Sequence, residues 1–440
     1  MESKHPRAAG RRAALCAALL LGASGATLAT AGPASAVATT PPGTYAYVIT
    51  GDQVSVIDIG SDSVRATVPV GDGPRGLAID RADTHVYVAN ASSASVSVID
   101  TWTNTVTATI ALAGSVPRAI AVTPDGGRVY VADGANNVVS VIDTATNAVT
   151  ATISVGSHPE RMAMAPDGRH VDVSNISGGS VSVIDTATNS VTAEIPVEIP
   201  DGLQVSPDGT RVYVASELSV GVVDTATNSV SSIVATGESP YGVAVSGDGA
   251  HAYVTTHDNR DGVAIHDLRI IDTATNTITA TYPVGLDPYG IAVTPDDNRA
   301  YVANTGESDL YDVDLATGTH TTVPVSAAPL DVVIGTIPQP KPTALRAGTA
   351  TLSVLPLGVA GLKATLTSSG TPLPGQTIAF TATDGTPLCT AVTGADGRAT
   401  CNSAPGLPTT LGVLCKGYTA TLAATRDYVG ATAHGATRLL

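Results

Sequence analysis

The sequence predicts an all-β protein, a seven-bladed β-propeller closed by its N- and C-terminal strands and followed by a β-sandwich, and three recurring landmarks carry that prediction. An apolar strand ending in Val or Ile and then Asp returns at Asp58, Asp100, Asp143, Asp185, Asp224, Asp272 and Asp314, at spacings of 42, 43, 42, 39, 48 and 42 residues. An aromatic strand starts at Tyr47, Tyr87, Tyr130, Tyr213, Tyr253 and Tyr301, with Asp172 in the remaining copy. A proline that opens an apolar run stands at Pro74, Pro117, Pro159, Pro200, Pro240, Pro288 and Pro329. Motifs that keep one register at a period near 40 residues indicate one four-stranded blade per unit.

Each unit reads in the same order. A strand after the proline leads to a turn such as TPDG (123–126), the tyrosine strand, an SVSVID run, a TATN turn and a last strand such as residues 148–155. Val, Ile and Thr suit a pleated surface packed on both faces. In the TxTN turns an Asp carboxylate accepts backbone N–H bonds and Asn tolerates left-handed dihedrals. In the PDG turns at Asp125, Asp167 and Asp208, Pro sets φ and Gly supplies positive φ. The recurring acids are therefore read as structural. The first unit lacks a proline strand and the last has one to spare, PLDVVI at 329–334. The spare strand is expected to complete the blade of residues 45–70 and remove two exposed sheet edges.

Residues 1–36 have the pattern of a secretory signal: basic Arg7, Arg11 and Arg12, an apolar stretch from Ala13 to Leu21, and a small-residue site at Ala34-Ser35-Ala36. Arg11-Arg12 leaves general and twin-arginine export both open. The expected product is a secreted or extracellular monomer, wall-associated or free. The formal net charge of −16 opposes binding to nucleic acid or an anionic membrane. No stretch after residue 36 has transmembrane length. A proline-rich linker at 336–345 divides the propeller of residues 45–335 from residues 346–440, whose short alternating runs and Gly/Pro turns predict the sandwich. Cys389 and Cys401 flank TAVTGADGRAT, and a hairpin there would set them opposite each other on adjacent strands as a disulfide. Cys415 is either a buried thiol or an alternative partner.

The units PRAIAVTPDGGRVYVAD and SVSVIDTATNSVTAEIPV resemble the YVTN family of propeller repeats, related to surface-layer and quinoprotein amine dehydrogenase-like propellers, over residues 45–335. That resemblance implies an exported seven-bladed toroid, in a group that includes enzymes and binding proteins. The phrases SSGTPLPGQTIAFTATDGTPLCTAVTGADGRATC and GYTATLAATRDYVGATA resemble bacterial immunoglobulin-like domains, which implies a spacer or adhesion module.

Candidate sites lie where the repeat fails. The residue after each landmark proline is expected at the mouth of the channel: Arg75, Arg118, Glu160, Asp201, Tyr241, Tyr289 and Leu330. Two arginines, two acids and two tyrosines in ring order would make a polarised funnel for a polar or sugar-like ligand, against the plain alternative of a solvated rim. The 48-residue spacing holds an insertion, residues 257–268. It contributes His257, Asp258, Asp261, His266 and Asp267, metal-ligating types without a metal spacing, so a flexible charged loop is the competing reading. Asp172 is either a semi-buried acid with a raised pKa or a tolerated lapse of the repeat in a peripheral blade, paired with His170 or Arg169. No CxxCH, ring cysteine or phosphate-binding glycine loop occurs, and no resident cofactor is expected. Two functions stay open. One is binding of a protein or carbohydrate partner; the other is a hydrolase or lyase for a lactone-type substrate, using His158 with Glu160 or Asp201 and, under that alternative alone, a divalent metal.

Overall fold

The computed structural model describes residues 40–258, 265–354, 357–403 and 417–439. The signal-like segment, Asp261 and Cys415 lie outside the described residues.

Residues Val37–Ile337 form one compact unit of seven four-stranded antiparallel sheets. Blade 2 runs Pro74–Ile79, His85–Asn90, Ser95–Asp100 and Thr105–Ala111 from one edge to the other, and blades 3 to 7 repeat that order. Blade 1 draws on both ends of the chain: Pro329–Ile337 pairs with Gly43–Thr50, placing Tyr47 opposite Val333 and Ala46 opposite Ile334. Pairing satisfies two strands whose N–H and C=O groups would otherwise form open edges. The core is made between blades. Tyr130, Val139 and Ile153 of blade 3 pack in one cluster with Val171, Val173 and Ile184 of blade 4.

The turn acids do structural work. Thr146 donates both its N–H, at 2.9 Å, and its hydroxyl, at 2.7 Å, to Asp143. Asp185 and Asp272 receive the same pair of bonds from Thr188 and Thr275. These bonds stabilise the ionised form and hold the carboxyls below their ordinary value. The turns close on Asn147, Asn189, Asn228 and Asn276, at φ of 54°, 50°, 50° and 53°.

From Pro338 onward a second unit contains three small sheets. Leu362, Ala364 and Leu366 of one sheet share a core with Ile378, Phe380, Tyr418 and Leu422 of another. Cys389 and Cys401 are disulfide-bonded with Cα atoms 6.4 Å apart, but not across one hairpin as expected. Cys389 pairs with Phe380, and Cys401 with Leu362 in a different sheet. The GADG turn, with Gly397 at φ 70° and Asp396 accepting the Arg398 N–H, hands the chain from one sheet to the other. The bond therefore staples two sheets. Among the described residues no helix is long and apolar enough to cross a membrane.

Candidate functional site at the channel mouth

A β-bulge builds the site. Immediately after the proline, the pairing of the inner strand shifts in blades 1, 2, 3, 4, 6 and 7; in blade 4 Pro159 faces Asn175 and Arg161 faces Ser174, leaving Glu160 as the extra residue. A bulge breaks strict alternation and re-aims side chains. Both Glu160 and Arg161 thereby reach charged partners on other blades.

The second position after the proline reads Gly76, Ala119, Arg161, Gly202, Gly242, Gly290 and Asp331. Inner strands crowd one another there: a Cβ on Gly202 would collide with the carbonyl of Tyr241, and one on Gly242 with that of Tyr289. Small residues in five blades leave room for two large charged ones. Arg161 of blade 4 reaches Asp331 of blade 1, three blades round the ring, with Nη1 3.1 Å from Oδ2. Its Nε lies 4.0 Å from Asp201, and its guanidinium sits 4.7 Å from the centroid of the Tyr289 ring. Leu77 and Val332 donate backbone N–H groups to the Asp331 carboxylate. Around this bridge the channel holds a cavity of about 150 Å³.

Burial sets the electrostatics. It pushes Asp201 up to about 6, against the attraction of Arg161, and it raises Asp331 as well. Burial opposes the charge of Arg161, yet Asp331, Tyr289 and Asp201 together lift its pKa above the ordinary arginine value. Tyr289 is pushed up to about 12 by burial.

On the residue before Arg161, the two Glu160 oxygens lie 2.9 Å and 3.2 Å from Arg118 Nη1, and His158 Nε2 lies 3.4 Å from Oε2. His158 sits in the left-handed region at φ 58°, with its N–H bonded to Asn137. The arginine and acid sectors meet in this Arg118–Glu160 pair between neighbouring blades. Tyr241 stacks with His257 at 4.9 Å and lies 5.6 Å from Tyr289. His257 stacks in turn with His266 at 6.0 Å, and Asp287 Oδ1 is 3.9 Å from His257 Nε2.

The insertion is therefore no loose loop where it is described. Residues 251–258 and 265–272 form an extended hairpin with His257 opposite His266. The two extra cross-strand pairs carry the imidazoles to the tyrosines. Asp258 ends the first strand, and Asp267 stands 3.7 Å from Arg269, raised by burial. Among the described residues no group of three His, Cys, Asp or Glu side chains could hold a metal ion.

Five of the seven residues expected at the mouth thus fall into two groups, Arg118 and Glu160 with His158, and Asp201, Tyr289 and Tyr241 around Arg161. Arg75 is exposed, and Leu330 packs on an apolar cluster. Arg161 and Asp331, at the centre, are the residues that the proline landmark alone missed. Asp172 pairs with neither His170 nor Arg169; Arg169 lies 3.7 Å from Asp167 instead. Its carboxyl is buried and pushed up to about 7 by burial alone.

A family model for the cytochrome D1 heme domain matches residues 86–215, less than half of the chain. No curated protein matches it. Among solved structures, hydrazine synthase of Kuenenia stuttgartiensis is 23% identical with a TM-score of 0.56, over 59% of this chain and 88% of that one. A Bacteroides uniformis protein described provisionally as a 6-phosphogluconolactonase is 15% identical with a TM-score of 0.56, over 67% of this chain and 100% of that one. The dihydro-heme d1 dehydrogenase NirN is 16% identical with a TM-score of 0.51, over 67% of this chain and 76% of that one. At these identities the likeness is one of fold: the chain is a seven-bladed β-propeller of the architecture these proteins share.

Proposed function

We propose that the protein is an exported binding protein whose propeller mouth takes a carbohydrate, free or carried on a partner. One observation carries this reading, the run of rings Tyr289, Tyr241, His257 and His266 beside Asp201 and the Arg118–Glu160–His158 group. A sugar ring presents C–H faces that lie against aromatic rings, and hydroxyls that bond to charged groups. The Arg161–Asp331 bridge lies in the channel and would hold such a ligand at the mouth. The test is a glycan array followed by calorimetry on the protein lacking residues 1–36. Tyr241→Ala and Tyr289→Ala should each weaken binding about tenfold, the equivalent of ~1.4 kcal/mol. An array without a single glycan hit removes carbohydrate from the reading; unchanged affinity in both variants removes the mouth.

A second reading rests on the 3.4 Å contact of His158 with Glu160 and on the raised Asp201. A histidine oriented by a carboxylate acts as a general base, and an acid that keeps its proton near pH 6 donates to a leaving oxygen, the two roles that opening a lactone requires. The likeness to the Bacteroides uniformis protein keeps that substrate class in view. His158→Ala would abolish lactone turnover under this reading and only weaken glycan binding under the first, which keeps its four rings and Arg118.

The cytochrome D1 match raises a heme as ligand. The channel does not fit one: the Arg161–Asp331 bridge crosses it and the cavity of about 150 Å³ is below the roughly 300–1,000 Å³ of ordinary ligand pockets.

A further inference from the structure

A cavity of about 480 Å³ lies between blades 4 and 5 and shares no lining residue with the channel. It owes its character to the one blade without the landmark tyrosine. In blade 3, Tyr130 is fully buried and its hydroxyl donates to Asn189 in the turn of blade 4 at 2.8 Å. Tyr301 of blade 7 reaches Asp62 of blade 1 in the same way. In these two blades the tyrosine hydroxyl thus satisfies the turn of the next blade. In blade 4 the position is Asp172, 5% exposed, and among the described residues no hydrogen bond or ion pair engages its carboxylate. Asn228, the counterpart of Asn189, lines the cavity instead.

The walls suit one kind of ligand. Val183, Val205 and Pro166 supply an apolar side, while Asp172 and the exposed Asp167 and Asp208 supply negative charge; no Lys or Arg lines the space. His170 is the single lining residue able to carry positive charge. The comparable cavity between blades 2 and 3 provides an internal control. There the tyrosine is present as Tyr87, and the lining acid, Asp80, is already engaged by Thr84 and His85. A buried carboxylate without a partner is costly, and a cation that enters beside it recovers that cost through a charge-assisted hydrogen bond.

We propose that the cavity between blades 4 and 5 is a second binding site, for a primary ammonium or guanidinium group on a short aliphatic stem, with Asp172 as its counter-ion. The cation faces the carboxylate and the stem lies along Val183 and Val205. The same chemistry is offered by a free amine and by a Lys or Arg side chain of a partner.

Isothermal titration of the full mature chain with n-butylguanidinium and n-butylammonium tests the site. Both cations should bind, and the neutral isostere n-butylurea should bind at least tenfold more weakly. Asp172→Asn, which keeps shape and removes charge, should lose at least tenfold in affinity. Asp172→Tyr restores the residue of the other six blades and should fold while losing binding. Tyr241→Ala should bind the cations unchanged, which separates this site from the mouth. Equal binding of Nα-acetyl-lysine methylamide and n-butylammonium assigns the site to a partner's side chain, and preference for the latter assigns it to a free amine. Absence of binding by either cation to the wild type overturns the proposal, as does full affinity in Asp172→Asn.

Discussion

The aspartates of the TxTN turns and those of the ring's interior are one side chain in two surroundings, and they end with opposite properties. Asp143, Asp185 and Asp272 lie in exposed turns, each with a threonine hydroxyl and N–H pointed at one oxygen. Their carboxyls fall below the ordinary value. Asp172, Asp201 and Asp331 lose water without an equal set of donors, and all three rise. A residue that repeats can bring its hydrogen-bond donors with it, because the same turn supplies them each time. A residue that breaks the repeat depends on distant partners, and Asp331 found one in Arg161 whereas Asp172 found none.

The largest effect should come from cutting that partnership. Arg161→Met leaves Asp331 and Asp201 uncompensated and should cost about 3 kcal/mol or more in urea unfolding. Adding Asp331→Leu should recover most of the loss, since a buried pair is often replaceable by apolar side chains. An Arg161→Met protein as stable as the wild type would show that the bridge is too hydrated to matter.

Asp172 gives the next effect, with a sign that depends on pH. Its folded pKa of about 7 lies above the unfolded value of about 3.9, so the ionised form burdens the fold at high pH and stability rises as pH falls from 7 towards 4. Asp172→Asn should therefore stabilise the protein by about 1–3 kcal/mol at pH 8 and leave it unchanged at pH 4. The turn acids have the reverse sign. Their folded values are depressed, so their contribution is present above about pH 4 and lost below it. Asp185→Ala should show the smallest midpoint change of the series, with no dependence on pH between 5 and 8; a dependence matching that of Asp172→Asn would erase the distinction between the two groups.

The difference also explains which parts were legible in advance. The seven blades, the closing strand and the structural role of the turn acids follow from residues that recur, because each copy tests the reading of the others. That Arg118, Glu160, Asp201, Tyr241 and Tyr289 occupy equivalent positions on the inner strands was legible for the same reason, the position being counted from a proline that repeats. Arg161 and Asp331 stood in plain view where five other units have Gly or Ala, but counting one residue from the proline passes over them. The bulge that leaves the second residue free to cross the ring belongs to strand pairing, which residue types alone do not display. His257 and His266 were singled out for their chemistry, whereas their stacking depends on a hairpin extended by two cross-strand pairs.

The sequence by itself determined the all-β class, the blade count, and the order of strands and turns, since local propensity and period suffice for these. Tertiary structure alone decided which sheets the disulfide joins, that Arg118 neutralises Glu160, that Arg161 meets Asp331 from three blades away, and that Asp172 meets no counter-ion. Each of those outcomes is a contact between residues far apart in the chain, and only closure of the ring sets the distances over which charge and burial act.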